Sequence, residues 1–208
     1  GFKRLNSLNE DERDCKLLSV GRTPHQHRLD LVDFFETEKF SDKEVLYSAL
    51  WKNKRIDERY HWPESGESGI NHGSNDFDIK SYDQNPYNHV YCEIVTETIF
   101  DNSATQISDK PFKPILNYLP FIYVTSFGGL NVLKSMGYES FDFIDESYDE
   151  IKDCTERLKK IKQEIYRLAK IDKNELHNIY NSNIPIFLHN RDVYLKNNTT
   201  RVKVMFKS

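Results

Sequence analysis

Short apolar runs alternate with segments of helical periodicity along this chain, and this order restricts the fold more than any other feature. An apolar run at 15–20 precedes residues 25–38, where Leu29, Val32 and Phe35 recur at helical spacing, and a second apolar run follows at 45–50. A strand, a helix and a strand within about 35 residues form a βαβ unit, which favours a parallel sheet.

The second half of the chain repeats the alternation. It predicts strands at 89–96 and 120–125, helices at 109–118 and 130–136, and a short edge strand at 141–144. Runs of strand and helix in this order indicate an α/β fold, in which a Rossmann-like parallel sheet is flanked by helices.

A long amphipathic helix is predicted at 148–171, near the C-terminus. Its apolar stripe comprises Ile151, Cys154, Leu158, Ile161, Ile165 and Leu168. The stripe lasts only about three heptads, which favours a core-packing helix over a coiled coil. Asp172 and Glu175 form a capping box that begins a further helix to 181, and residues 201–207 alternate as an added strand would.

The domain organisation follows from these segments. Residues 1–14 form a polar, flexible arm and 15–208 a single α/β domain, whose 146–182 segment holds C-terminal helices. Residues 52–89 are rich in Asn, Asp, Ser, Gly and aromatic side chains and form a long loop or insertion. Such a segment is either a surface excursion, or a lid or acceptor-binding loop.

Composition excludes several classes of protein. The net charge is −4 with acids and bases interspersed, which argues against a nucleic-acid binder. No apolar run approaches the ~20 residues that span a bilayer, so we expect no transmembrane segment.

The three cysteines, Cys15, Cys92 and Cys154, are odd in number and widely spaced. This indicates buried free thiols in a reducing compartment and predicts a cytoplasmic protein. Gly1 in place of Met indicates an appended residue or a piece of a longer protein that lacks an N-terminal partner domain.

The first candidate site is the turn at 21–28, between the first strand and its helix. Arg22 and Arg28, with the backbone N–H groups of the helix start, favour an anion such as phosphate, although a solvated basic turn has the same sequence. His25 and His27 could bind a metal with a third histidine, but no metal-site motif accompanies them, and we expect no metal.

The second candidate site spans 93–113. The acids Glu93, Glu97, Asp101 and Asp109 precede Lys110, which lies in the first turn of the predicted helix. A lysine at a helix N-terminus opposes the dipole by roughly 0.5 kcal/mol, and a phosphate bound there would remove that cost. Ordinary surface charge is the alternative.

The order of residues across 97–145 resembles a known family. Asn102 and Ser103 come first, and then Ser108, Asp109 and Lys110 stand where the family has Thr-Glu-Lys. A buried strand led by Pro120 and an aromatic segment at 140–145 follow. This pattern, with the arginine-bearing turn at 15–30, is similar to the donor-binding domain of GT-B glycosyltransferases, most closely of the fucosyltransferase type.

The resemblance implies a nucleotide-sugar donor as substrate, a glycan acceptor, and no metal or other cofactor. Its donor and phosphate contacts map onto Arg22, Arg28, Asn102, Ser108, Asp109 and Lys110. Glu93 or Glu97 is the predicted general base that activates the acceptor hydroxyl. Asp109 in place of Glu shortens the arm that would contact the ribose, and 208 residues are too few for two GT-B domains.

The chain is therefore expected to be a donor domain, a compact variant or an inactive relative. The alternative is a non-catalytic nucleotide- or glycan-binding or assembly module. The transferase hypothesis requires Arg28 and Lys110 to meet at the same edge of the sheet.

Overall fold

The fold is a four-stranded, all-parallel sheet with flanking helices, seen in a computed structural model that describes residues 13–21, 23–52, 86–105 and 107–205. In chain order the elements are β1 (Cys15–Gly21), α1 (Gln26–Thr37), β2 (Val45–Ala49), β3 (Val90–Thr96), α2 (Phe112–Leu116), β4 (Phe121–Val124), α3 (Gly129–Ser135), α4 (Cys154–Lys170), α5 (Lys173–Ser182) and α6 (Ile184–Met205). This confirms the predicted α/β, Rossmann-like class.

The strand order is β2-β1-β3-β4, and every pair is parallel. The chain moves outward from β1 to β2, then returns to the other side of β1 to form β3 and β4. The order of the sheet therefore reverses between β1 and β3. In open α/β sheets, ligands bind outside the carboxyl ends of the strands at such a switch point.

The central strands are buried because their residues are apolar on both faces. Every residue of β2, β3 and β4 is buried, as expected for a parallel sheet covered by helices. Leu158, Ile161, Ile165 and Leu168 of α4 are also buried, and α4 packs against β1 and β4. The predicted stripe is thus a core-packing face. Cys15 and Cys92 are buried free thiols, whereas Cys154 is half-buried.

Three C-terminal predictions were wrong in part. The helix predicted from 148 begins only at Cys154, where the Asp153 side chain caps it, and Glu146–Glu150 form a 3-10 turn. Residues 141–144 form a turn and not an edge strand, because Phe141 packs inward against Phe121. Residues 201–205 continue α6 and not a strand; a short alternation does not interrupt a helix that already propagates from Ile184.

The helix predicted at 109–118 begins three residues later. Pro111 occupies the N-cap position of α2, and no side chain caps this helix. Lys110 therefore precedes the helix, which removes the helix-dipole argument for its position. The Ser108 hydroxyl instead donates a hydrogen bond to the carboxylate of Glu97, the first residue after β3.

Two of the predicted segments, the arm and the long loop, lie largely outside the described residues, which omit 1–12 of the arm and 53–85 of the loop. Arg13 is buried and donates hydrogen bonds to the Val90 carbonyl and to the Tyr180 hydroxyl, so core packing begins before β1. Among the described helices, none has the length and apolar character needed to cross a bilayer.

The capping of α5 yields a first prediction. Asp172 Oδ1 accepts hydrogen bonds from the Asn174 and Glu175 N–H groups at 2.8 and 3.3 Å. We expect Asp172→Ala to lower the free energy of unfolding by about 1 kcal/mol, measured by thermal denaturation followed by circular dichroism. Asp142→Ala, which removes an exposed aspartate outside any helix, is the control, and equal losses in both variants would contradict the capping role.

Candidate anion-binding site

A small cavity lies at the carboxyl ends of β1 and β3, where the sheet order reverses. Its volume is about 200 Å³, and it is lined by Val20, Thr23, Arg28, Tyr87, Glu93, Val95, Thr96, Thr98, Lys110 and Lys113. Pockets for whole drug-sized ligands measure roughly 300–1,000 Å³, so this cavity suits one compact part of a larger ligand. Three cations and one carboxyl group line it.

Arg28 reaches the cavity from the first turn of α1. One of its terminal nitrogens donates to the Thr23 carbonyl at 3.2 Å. The other donates to the Thr96 and Glu97 carbonyls at 2.9 and 3.0 Å, which ties α1 to the end of β3. The side chain is therefore buried and held in one orientation, as a preorganised anion contact requires.

Glu97 is the first residue after β3, and its side chain is only 1% exposed. Oε1 accepts from the Ser108 N–H and hydroxyl at 3.1 and 2.9 Å and from the Tyr123 hydroxyl at 2.7 Å. Oε2 accepts from Lys110 Nζ at 2.9 Å. Burial alone would raise the pKa of Glu97, but the bonds from Lys110, Tyr123 and Ser108 outweigh it and hold the pKa below its usual value.

Lys110 is fixed by this carboxylate at the wall of the cavity. Its ammonium group donates to Glu97 Oε2 and, at 3.2 Å, to the Ser108 hydroxyl. An ammonium has three N–H donors, so one remains for a ligand. With 31% of its side chain exposed, Lys110 is held in place but is accessible to an incoming anion.

Glu93 lies on β3 and is 6% exposed. The Tyr87 hydroxyl donates to its Oε1 over a long 3.4 Å. Burial raises the pKa of Glu93 to about 8, against the opposing charge of Lys113 and the bond from Tyr87. The carboxyl group is therefore mostly neutral at pH 7.

Three buried polar atoms on cavity-lining residues lack a hydrogen-bond partner within the described part of the chain. They are Arg28 Nε, Glu93 Oε2 and Thr96 Oγ1. Buried polar atoms in folded proteins are nearly always bonded, and each exception calls for an explanation such as a bound ligand. They are three of seven such atoms among the described residues, and their place on residues of one cavity favours a polar ligand there.

His27 is part of the supporting structure beside this cavity. Its Nε2 lies 2.9 Å from the Glu97 carbonyl oxygen, and its ring stacks on Phe100 at 5.0 Å between centroids. Burial lowers the pKa of His27 to about 4, so the ring is neutral and donates this hydrogen bond. The described residues contain no cluster of three His, Cys, Asp or Glu side chains that could hold a metal ion.

The cavity gathers some of the residues predicted from the sequence, but not all of them. Arg28, Lys110 and Glu93 line it, and Ser108 and Glu97 hold Lys110.

The other predicted residues lie elsewhere. Asn102 does not line the cavity; it donates to the Lys152 carbonyl at 2.6 Å and accepts from Arg157. Asp109 is exposed and pairs with Lys113 at 3.5 Å, and Arg22 lies outside the described residues.

Sequence reasoning did not assign a role to several other lining residues, among them Tyr87, Thr96 and Lys113. Thr96 ends a predicted strand, so its place at the carboxyl edge could have been inferred. Tyr87 belongs to a segment without periodicity, and nothing in the sequence pairs it with Glu93.

A larger, more open groove of about 1,040 Å³ lies beside the cavity, between α1 and α4. Phe34, Phe100 and Tyr166 line it with His25 and His27, and the two histidine rings are stacked at 6.0 Å. Thr98 lines both hollows. The groove is larger, but its two lysines are accompanied by three acidic residues, whereas three cations and one carboxyl group line the smaller cavity. The smaller cavity is therefore the better candidate for anion chemistry.

No protein-family model, curated protein or solved structure matches this chain. The functional assignment rests on the cavity, its charges and its place in the sheet.

Proposed function

We propose that this chain is a nucleotide-sugar-dependent glycosyltransferase, or the donor-binding domain of one, and that the cavity receives the donor's diphosphate. The observation that carries the proposal is the meeting of Arg28 and Lys110. They come from two turns that are distant in the sequence, and they line one cavity at the switch point of a parallel sheet. A volume of about 200 Å³ suits the diphosphate, with the rest of the donor lying outside.

Sugar transfer leaves negative charge on the diphosphate, and donors that are already in place stabilise that charge. Arg28 offers its unpartnered Nε–H, and Lys110 offers its remaining ammonium N–H. Because both groups are held by the protein before the ligand arrives, little reorganisation is needed as charge develops.

Glu97 and Glu93 were predicted as alternatives for the general base, but the surroundings of neither carboxyl group suit that role. Glu97 accepts four hydrogen bonds and holds Lys110, so in this proposal it is a positioning residue. Glu93 lies within the cavity that is assigned to the diphosphate, so it faces the donor and not the acceptor. The proposal therefore leaves proton removal from the acceptor to a group outside this cavity.

Isothermal titration calorimetry with GDP, UDP, their sugar conjugates and pyrophosphate tests this proposal. We expect at least one nucleoside diphosphate to bind, and pyrophosphate to compete with it because both occupy the same cationic cavity. The absence of binding by all of these compounds would overturn the proposal.

A second candidate is a non-catalytic nucleotide- or glycan-binding module, which the aromatic groove favours. Stacked rings beside polar side chains suit the apolar faces and hydroxyl groups of sugars. The two candidates differ in turnover. Release of nucleoside diphosphate from a bound nucleotide-sugar supports the transferase, and binding without release, with or without glycan, supports the module.

A further inference from the structure

We infer that Glu93 is a proton-carrying binding group, whose neutral carboxyl group donates a hydrogen bond to a phosphate oxygen, so that a phosphate-bearing ligand binds together with a proton. This rests on the proposed function, because it requires a phosphate in the cavity. It adds a binding role for Glu93 and a pH dependence that the cations alone would not produce.

The position of Glu93 carries the inference. It lies in the central strand β3, paired in register with Leu18 of β1 and Phe121 of β4, and it lines the cavity together with Arg28 and Lys110. Its Oε2 is buried and has no partner among the described residues. A carboxyl group that lines the cavity and retains an unused polar atom is well placed to bind a ligand there.

Charged and titratable groups face the cavity from each neighbouring element. Arg28 comes from α1, Lys110 from the segment before α2, Lys113 from α2, and Tyr87 from the turn before β3. Glu97, the first residue after β3, does not line the cavity but holds Lys110. Lys110 is paired with Glu97 at 2.9 Å, and Lys113 with Asp109 at 3.5 Å, so two of the three cations are already partly neutralised.

The protonation state follows from this environment. Burial already raises the pKa of Glu93 to about 8, and the charge of Lys113 and the hydrogen bond from Tyr87 limit that rise. A bound phosphate places negative charge beside Glu93 and offsets the charge of Lys113, so it raises the pKa further and favours the neutral acid. An ionised Glu93 would instead present its negative charge to the phosphate and repel it.

The sign of the pH dependence is set by the same linkage. In the free protein the proton leaves as the pH rises through about 8, whereas the complex retains it to higher pH. Nucleoside diphosphates have lost their last phosphate proton near pH 6, and the guanine and uracil rings and pyrophosphate lose a further proton only near pH 9, so these ligands contribute little titration between about pH 7.5 and 8.5. Affinity should therefore fall over that interval, and binding there should take up a proton.

Calorimetric titration of pyrophosphate, GDP and UDP between about pH 7.5 and 8.5 tests the inference. Each titration is run in two buffers of different ionisation enthalpy, which gives the number of protons taken up. We expect the dissociation constant of the ligand that binds to rise about threefold across this range, with about a quarter of a proton taken up at the lower limit and about three quarters at the upper limit. The pyrophosphate arm shows whether the phosphates alone are sufficient.

Glu93→Gln supplies a donor that does not titrate, and we expect its affinity to stay constant over the same interval. Glu44→Gln, at the opposite edge of the sheet, is the matched control and should retain the wild-type pH dependence.

Binding by the wild type without proton uptake, or an unchanged pH dependence in Glu93→Gln, would overturn the inference and leave the proposed function intact. Failure of every ligand to bind at every pH would overturn the proposed function instead. The wild-type proton count decides the matter even where Glu93→Gln does not fold.

Discussion

Replacing Lys110 with alanine is expected to weaken nucleoside diphosphate binding about 10- to 100-fold, because a hydrogen bond to a charged group contributes about 1.5–3 kcal/mol. The substitution removes an ammonium donor from the cavity wall. It also leaves the Glu97 carboxylate without its cation, beside the place that the anion would occupy. Calorimetric titration with the diphosphate that the wild type binds measures the loss.

Lys170→Ala is the matched control for that experiment. Lys170 also pairs with a glutamate, Glu44, at 2.6 Å. Lys16, near the start of β1, donates to the Ala169 carbonyl, which places this end of α4 at the amino edge of the sheet, away from the cavity. We expect Lys170→Ala to bind with wild-type affinity.

Arg28→Lys probes the other cation without removing the charge. Lysine lacks the forked guanidinium, which binds three carbonyls through three of its five N–H donors and leaves two. We expect an affinity between those of the wild type and Lys110→Ala. Wild-type binding by both cavity variants would show that the ligand binds elsewhere, and the larger groove would then be the place to look.

The sheet and its helices were predictable because the patterns that specify them are local. Apolar runs bounded by turn residues identified β1 and β2, and the three- and four-residue spacing in α4 identified its buried face. The failures occurred where a pattern was too short to decide. Residues 141–144 are apolar enough for a strand, but their aromatic side chains fill the core from a turn.

The candidate site was predictable in part for a different reason. Topology brings the carboxyl ends of β1 and β3 together, so residues that follow these strands were expected to meet, and Arg28 and Lys110 do. The network around Glu97 was not predictable. The sequence does not indicate that the Ser108 and Tyr123 hydroxyls donate hydrogen bonds to the same carboxylate, because those contacts depend on the tertiary structure.

Glu97 connects the two halves of the site. Its backbone carbonyl accepts from Arg28 at 3.0 Å, and its carboxylate accepts from Lys110 at 2.9 Å. One residue at the end of β3 thus positions both cations, through its backbone for one and its side chain for the other. Loss of its side chain should disturb Lys110 and leave the anchor of Arg28 in place.

Glu97→Ala is expected to lower the free energy of unfolding by about 3 kcal/mol, near the low end for breaking a buried ion pair, because Lys110 is partly exposed and can be rehydrated. The Tyr123 hydroxyl and the Ser108 N–H would lose their acceptor as well. Chemical denaturation at pH 7 measures the change. Glu44→Ala, which breaks a more exposed pair, should cost no more than about 1 kcal/mol.

The pH dependence separates the charge of Glu97 from its shape. A carboxylate whose pKa is lowered in the folded state stabilises the protein above its unfolded pKa of about 4.5, and this stability is lost as the pH falls through the folded pKa. The difference in unfolding free energy between wild type and Glu97→Gln should therefore be constant from pH 8 to pH 5 and shrink below that. A difference that persists unchanged at pH 3 would mean that packing, and not the ionised carboxylate, holds this edge of the sheet together.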